Sequence, residues 1–157
     1  MLPEQLKAGA DLVQIFDSWA GGLDLRSFCL WVVEPTVQVV AKVREQMPNA
    51  KIIGFPRATT QLGYETYVSE TKVDAISIDT ATNMQWASTT LSRNTVLQGN
   101  LDPLALVAGG AALDKAIDQI LRETEGTPFI FNLGHGVLPD TPVEHVQQLI
   151  ERVRSLT

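Results

Sequence analysis

Apolar positions along the chain fall into two alternating patterns. Residues 11–16, 51–55, 75–79, 95–98 and 128–133 are short, mostly apolar runs of strand length, rich in β-branched or aromatic side chains. Their lack of polar alternation predicts parallel strands covered on both faces. Between them the spacing turns helical: Val37, Val40, Val43 and Met47 share one face, as do Leu113, Ala116, Ile117, Ile120 and Leu121. A last helix is predicted from Thr141 as N-cap, Pro142 at the first helical position and Glu144 completing a capping box. Its stripe is Val143, Val146, Leu149, Ile150 and Val153. Pro35 after Glu34 and Pro103 after Asp102 are read as opening two more helices. Residues 61–71 and 84–92 are read as helices with thin apolar faces, and residues 3–10 as half a helix.

Strict β-α alternation without a linker predicts an α/β fold with a parallel sheet and right-handed crossovers. Periodicity alone leaves an open sheet and a barrel equally possible. An eight-repeat barrel takes about 250 residues, or roughly 31 per repeat. At 157 residues this chain holds room for five. As a barrel it would be a single incomplete domain, residues 1–157.

Composition narrows the function. With 45% hydrophobic and 19% charged residues the chain has the make-up of a globular domain, and its formal net charge of −6 argues against a nucleic-acid surface. A small anionic ligand remains compatible if arginines are local to the site. Cys29 is the only cysteine, so no disulfide forms within the chain and no cysteine-rich metal site exists. The cytoplasm is the expected compartment. No apolar run approaches the ~20 residues of a membrane-spanning helix, and the first residues lack the basic start and apolar core of a signal peptide.

The candidate chemistry sits at predicted strand ends. Asn132-Leu133-Gly134-His135-Gly136 carries an apolar strand into a histidine flanked by two glycines, which remove side-chain bulk and permit a sharp turn beside the imidazole. Ser18 ends the first strand region, where a lone serine would ordinarily bond its own backbone. Asp17 reads as a loop cap ahead of a pocket carboxylate, and Asp102 as an N-cap. Asp79 is divided between loop pairing and contact with a ligand, and Arg57 between attracting ligand carboxylates and solvent exposure or a structural ion pair. Cys29 is a small packing residue, Trp19, Trp31 and Trp86 are packing residues, and His145 is a helix-surface residue.

Three segments, Gln14-Ile15-Phe16-Asp17-Ser18-Trp19-Ala20-Gly21, Gln98-Gly99-Asn100-Leu101-Asp102-Pro103 and Asn132-Leu133-Gly134-His135-Gly136, together resemble the carboxyl-terminal part of the uroporphyrinogen decarboxylase family. The resemblance implies a partial TIM (β/α)8 barrel made of about the last five repeats. It implies, for the family, removal of four acetate carboxyl groups from uroporphyrinogen III to give coproporphyrinogen III, with no cofactor and no metal, in a homodimer. It places Ser18 and His135 as substrate-binding hydrogen-bonding positions and Phe16 as an aromatic wall. The family's catalytic aspartate, arginine motif and substrate-binding tyrosine precede the region represented here, so no catalytic residue is assigned and the chain alone is expected to be inactive. After Arg57 this sequence has Ala58-Thr59-Thr60 where the family commonly has glycines, which restricts any position needing positive φ. Two other functions stay open: a zinc- and corrinoid-dependent methyltransferase of the same barrel superfamily, and a noncatalytic remnant that serves as an interaction module.

Overall fold

The computed structural model describes residues 1–156 and divides into two compact units. The first comprises Met1–Ser77 with Arg93–Val96; the second comprises Ile78–Ser92 and the chain from Leu97 onward.

The first unit contains α1 (Leu2–Lys7), β1 (Val13–Asp17), α2 (Leu25–Phe28), a π-helical turn (Cys29–Val33), α3 (Glu34–Gln46), β2 (Ile52–Pro56), α4 (Gln61–Thr71) and β3 (Ala75–Ser77). β1 pairs parallel with β2, Val13 opposite Ile52 through Asp17 opposite Pro56, and β2 pairs parallel with β3. All residues of β2 are buried, as expected of a strand flanked on both edges and covered on both faces. Gly54 is needed there, because a Cβ would fall on the Tyr67 ring packed against the strand.

Pro35 does not open a helix. Asp24 does, its carboxylate accepting from the backbone N–H groups of Arg26 (3.0 Å) and Ser27 (3.2 Å). The chain then stays helical from Leu25 to Gln46, with the π turn directly before Glu34 and Pro35. A wider turn accommodates a residue that has no N–H and whose ring crowds the carbonyl four positions back. In α3, Val40 and Val43 are buried as predicted, whereas Val37 is exposed.

The helix predicted over 61–71 forms with a face of Gly63, Tyr64, Tyr67, Val68 and Thr71, which looks thin in sequence because its bulk is carried by two tyrosines. Thr60 caps it, accepting from the Gly63 N–H at 3.1 Å. Burial raises the Tyr67 phenol to about 12, the nearby Asp17 charge adding to this and a hydrogen bond with Thr36 opposing it.

Asp74 is the polar anchor of this unit. Its carboxylate accepts from Arg44 Nη2, Lys51 Nζ and the Ile52 backbone N–H, each at 3.0 Å. Burial alone would raise its carboxyl, but the donors from Lys51, Ile52 and Arg44 together hold it below the usual carboxylate value. Thr95 adds a bond from its hydroxyl to the Asp74 carbonyl (3.2 Å).

The second unit contains α5 (Met84–Thr90), β4 (Val96–Leu101, all but its first residue), α6 (Pro103–Ala108), α7 (Gly110–Glu123), β5 (Phe129–Leu133) and α8 (Val143–Leu156). β4 and β5 are parallel, Leu97 opposite Phe129 through Leu101 opposite Leu133. Leu101, Leu106, Leu113, Ile117 and Ile120 form its core, with Phe129, Phe131, Val146, Leu149 and Val153 packed around them. Each such buried side chain contributes about 1.5–3 kcal/mol. Asp102 caps α6 as predicted, accepting from the Leu104 N–H at 2.8 Å.

The predicted start of the last helix is corrected. α8 begins at Val143, and Thr141 Oγ1 is the one buried side-chain polar atom without a partner among the described residues. The Thr141 N–H closes a turn onto the Leu138 carbonyl (3.1 Å), so the capping box does not form. His145 is not a plain surface residue either: its Nδ1 lies 3.0 Å from the Leu106 carbonyl oxygen and 3.1 Å from that of Val107, at the carboxyl end of α6. Two acceptors around one nitrogen require the proton on Nδ1, which donates to carbonyls the helix leaves unpaired. Gly109 follows at φ +65°, and a Cβ there would meet this imidazole. Arg152 clamps Asp118 through Nε (2.9 Å) and Nη2 (2.7 Å), fastening α8 to α7.

Candidate substrate site

In the first unit, Phe16 and Ser18 stand at the carboxyl end of β1. The Phe16 ring meets Phe55 edge to face, centroids 6.1 Å apart, yet remains 67% exposed. That combination gives an aromatic surface fixed from behind and open in front. Ser18 lies in the exposed turn that follows, where Asp17 Oδ1 accepts from the Trp19 N–H at 3.2 Å. Asp17 therefore acts as the loop cap. Arg57, after β2, donates from Nη1 to the Ser18 carbonyl at 3.4 Å, a long bond that ties the two strand-end loops together. Trp19 and Trp31 correct the packing expectation, being 88% and 69% exposed.

Ala58 adopts φ +60°, the left-handed conformation that glycine takes at least cost. The departure from a glycine-bearing turn thus falls on a position that needs positive φ. Gly21 packs directly on it: a Cβ on Gly21 would lie 2.6 Å from Ala58 Cβ.

In the second unit, His135 is exposed at the carboxyl end of β5. Its two glycines differ in role, and neither adopts positive φ. Gly134 is buried, and a Cβ there would fall on Thr80 N and Oγ1, whereas Gly136 faces open space. Gly134 is small because the chain segment after β3 runs against it, not because a ligand does.

That segment is tightly folded. Asp79 Oδ1 accepts from the N–H groups of Ala81 (3.0 Å) and Thr82 (3.2 Å) and from the Thr82 hydroxyl (3.0 Å). Loop pairing is the structural role of Asp79. Asn100, only 8% exposed near the end of β4, donates from Nδ2 to the carbonyls of Asp79 (3.0 Å) and Thr82 (2.7 Å). One residue on, the Leu101 carbonyl accepts from the Gly134 N–H at 2.8 Å. Sequence reasoning gave Asn100 no role; the available signal was an amide inside a strand whose neighbours are buried.

Phe16 and Ser18 thus belong to one unit and His135 to the other, Phe16 within the last two residues of its strand and the other two just past the carboxyl ends of theirs. Among the described residues, no three His, Cys, Asp or Glu side chains converge to hold a metal ion. No described helix is long and apolar enough to cross a membrane.

Over residues 1–156 the chain matches the model of the family described as uroporphyrinogen decarboxylase (URO-D). The chain belongs to this family. It is 50% identical over 153 residues to uroporphyrinogen decarboxylase of Sphingopyxis alaskensis, covering 98% of this chain and 44% of that protein. Against uroporphyrinogen decarboxylase of Rhodospirillum rubrum the identity is 44% over 151 residues, covering 96% of this chain and 43% of the relative. The chain therefore spans less than half the length of these URO-D relatives. In three dimensions it is similar to a methyltransferase from Methanosarcina mazei, with a TM-score of 0.80 and 17% identity, over 99% of this chain and 45% of that one. Such a likeness concerns the fold: alternating parallel strands and helices forming part of a (β/α)8 barrel.

Proposed function

We propose that the chain contributes substrate-binding walls to a uroporphyrinogen decarboxylase, as residues 1–157 of a single incomplete barrel domain. The observation that carries this reading is family membership combined with two exposed groups suited to a polycarboxylated macrocycle, at strand ends where barrel enzymes gather their sites. Ser18 donates its hydroxyl to an acetate or propionate carboxylate. His135 does the same from its imidazole, and Phe16 offers its exposed ring to a pyrrole face.

The reaction is removal of the four acetate carboxyl groups of uroporphyrinogen III in a carboxy-lyase step. A ring carbon of the pyrrole takes up a proton, and the cationic ring accepts the electron pair of the breaking C–CO2 bond. CO2 departs, the exocyclic methylene takes a proton to become methyl, and the ring gives its proton back. The pyrrole is its own electron sink, so no cofactor enters. What the protein supplies is orientation of the macrocycle and stabilisation of the positive ring. No residue of this chain is assigned proton transfer: its part is binding, its compartment the cytoplasm, and its assembly the homodimer expected for the family.

Titration of the chain with uroporphyrin, followed by its fluorescence, tests the reading. Saturable binding is expected, weakened about tenfold or more by Ser18→Ala and by His135→Ala, since a hydrogen bond to a charged group is worth about 1.5–3 kcal/mol. Isotherms that both substitutions leave in place would refute it.

A further inference from the structure

Asn100 lies outside the residues assigned to substrate, yet its amide holds the segment after β3. Its side chain is buried near the end of β4, a placement that costs stability unless its N–H groups are hydrogen-bonded. Both are. They bracket the segment after β3 at its two ends, on the carbonyls of Asp79 (3.0 Å) and Thr82 (2.7 Å), while the Asp79 carboxylate closes the same segment from within. Thr80, one of the two residues between, is pressed against Gly134 closely enough to leave no space for a Cβ. Gly134 is also held from β4, through its N–H to the Leu101 carbonyl (2.8 Å). The next residue is His135.

We infer that Asn100 is a positioning residue for His135, acting through the Asp79–Thr82 segment and its contact with Gly134. This rests on the reading of His135 as a substrate-binding group. The physical case is that an exposed histidine after a glycine is held only through its backbone. In this chain that backbone is seated against a segment held by two amide N–H bonds from Asn100 together with the Asp79 carboxylate. A merely structural asparagine would stabilise the strand end and leave the imidazole indifferent to its loss.

The test is carried out on the whole chain with uroporphyrin as the ligand and NMR as a ligand-free readout. Asn100→Asp keeps the shape and removes both donors, setting a carboxylate against two carbonyls; Asn100→Ala removes the side chain. Either is expected to weaken uroporphyrin binding about tenfold, the effect of losing one hydrogen bond to a charged group. Added to His135→Ala, either should weaken binding no further, the non-additivity of residues acting through one another. The Gly134 and Gly136 amide resonances and the His135 ring proton resonances should move in the same variants. Should both Asn100 variants fail to fold, Thr82→Val removes only the hydroxyl donation to Asp79 and is expected to move the same resonances. If His135→Ala weakens binding but the Asn100 variants do not, the positioning role is refuted and the site reading stands. If His135→Ala leaves binding unchanged, the site reading falls and this inference with it. Resonances of Gly134 and His135 that stay in place in folded Asn100 or Thr82 variants refute the coupling whatever the ligand does.

Discussion

In the first unit the densest polar contacts gather at the amino ends of the strands, where Asp74 draws Arg44, Lys51 and the start of β2 together. Its carboxyl ends are tied by the Arg57 N–H to the Asp17 carbonyl (3.0 Å) and by the longer bond of 3.4 Å from the Arg57 guanidinium to the Ser18 carbonyl, and they carry a residue at φ +60°. In the second unit the dense contacts lie at the carboxyl ends, where Asn100 and Asp79 hold the segment that meets Gly134. Each unit is anchored, but only the second spends its anchoring next to a residue assigned to substrate. Ser18 is thus offered from a turn with fewer side-chain bonds around it than the segment that supports His135. A loosely held donor can follow a ligand, whereas a tightly held one must already be in place.

The sharpest way to break this contrast is to loosen the tight loop. Gly134→Val forces a side chain onto Thr80, and overpacking of that kind costs about 1–3 kcal/mol. A fall of several degrees in Tm by calorimetry is the expected outcome, and an unchanged Tm would show the Thr80 contact to be slack after all.

Next comes the anchor of the first unit. Asp74→Ala is expected to cost about 2 kcal/mol at neutral pH, from the loss of hydrogen bonds to a charged acceptor, leaving Arg44 with only its bond to the Lys72 carbonyl and leaving the Ile52 N–H unmatched. The sign with pH follows from the depressed carboxyl. Stabilisation by Asp74 is complete above its unfolded value, near 3.9, and disappears as pH falls through the lower folded value. Urea melts of the native chain should therefore lose stability below about pH 4, and Asp74→Asn should flatten that limb. Asp118, also held low by its hydrogen bond to Arg152, adds a parallel loss from the second unit.

The smallest effect runs the other way. Ala58→Gly relieves a left-handed residue at about 1–2 kcal/mol and gives back about 0.4–1 kcal/mol of unfolded-chain entropy. A net gain between zero and about 1.6 kcal/mol in chemical denaturation is expected. A loss would mean that the packing of Ala58 on Gly21 outweighs its strain.

How much was legible in sequence follows from which signals are local. Each strand is found within a few residues of its prediction, because an apolar run bounded by turn residues needs no knowledge of its neighbours. α7 is legible for a related reason: its face of Leu113, Ile117 and Ile120 repeats along one helix. Signals that depend on a partner misled. Pro35 carried the usual mark of a helix start, yet a π turn let the helix run through it. Thr141 and Glu144 spelled a capping box, but the Thr141 N–H was taken by Leu138. His145 is defined by carbonyls 38 and 39 positions away. Of the candidate site, Ser18, His135 and Phe16 were selected by resemblance and stand at strand ends. Asn100 was invisible because an amide's worth depends on the two carbonyls it reaches, and those belong to a different stretch of chain.

Both tyrosines of the chain lie on α4, in the first unit. Because Tyr67 ionises near 12 when folded and an unfolded phenol near 10, alkali draws the chain toward the unfolded form once pH rises past the lower value. Tyrosinate absorbance then works as a clock for one half of the molecule alone. Its ultraviolet signal records when α4 lifts from β2 and Gly54 loses its ring, and carries no contribution from the half that holds the histidine.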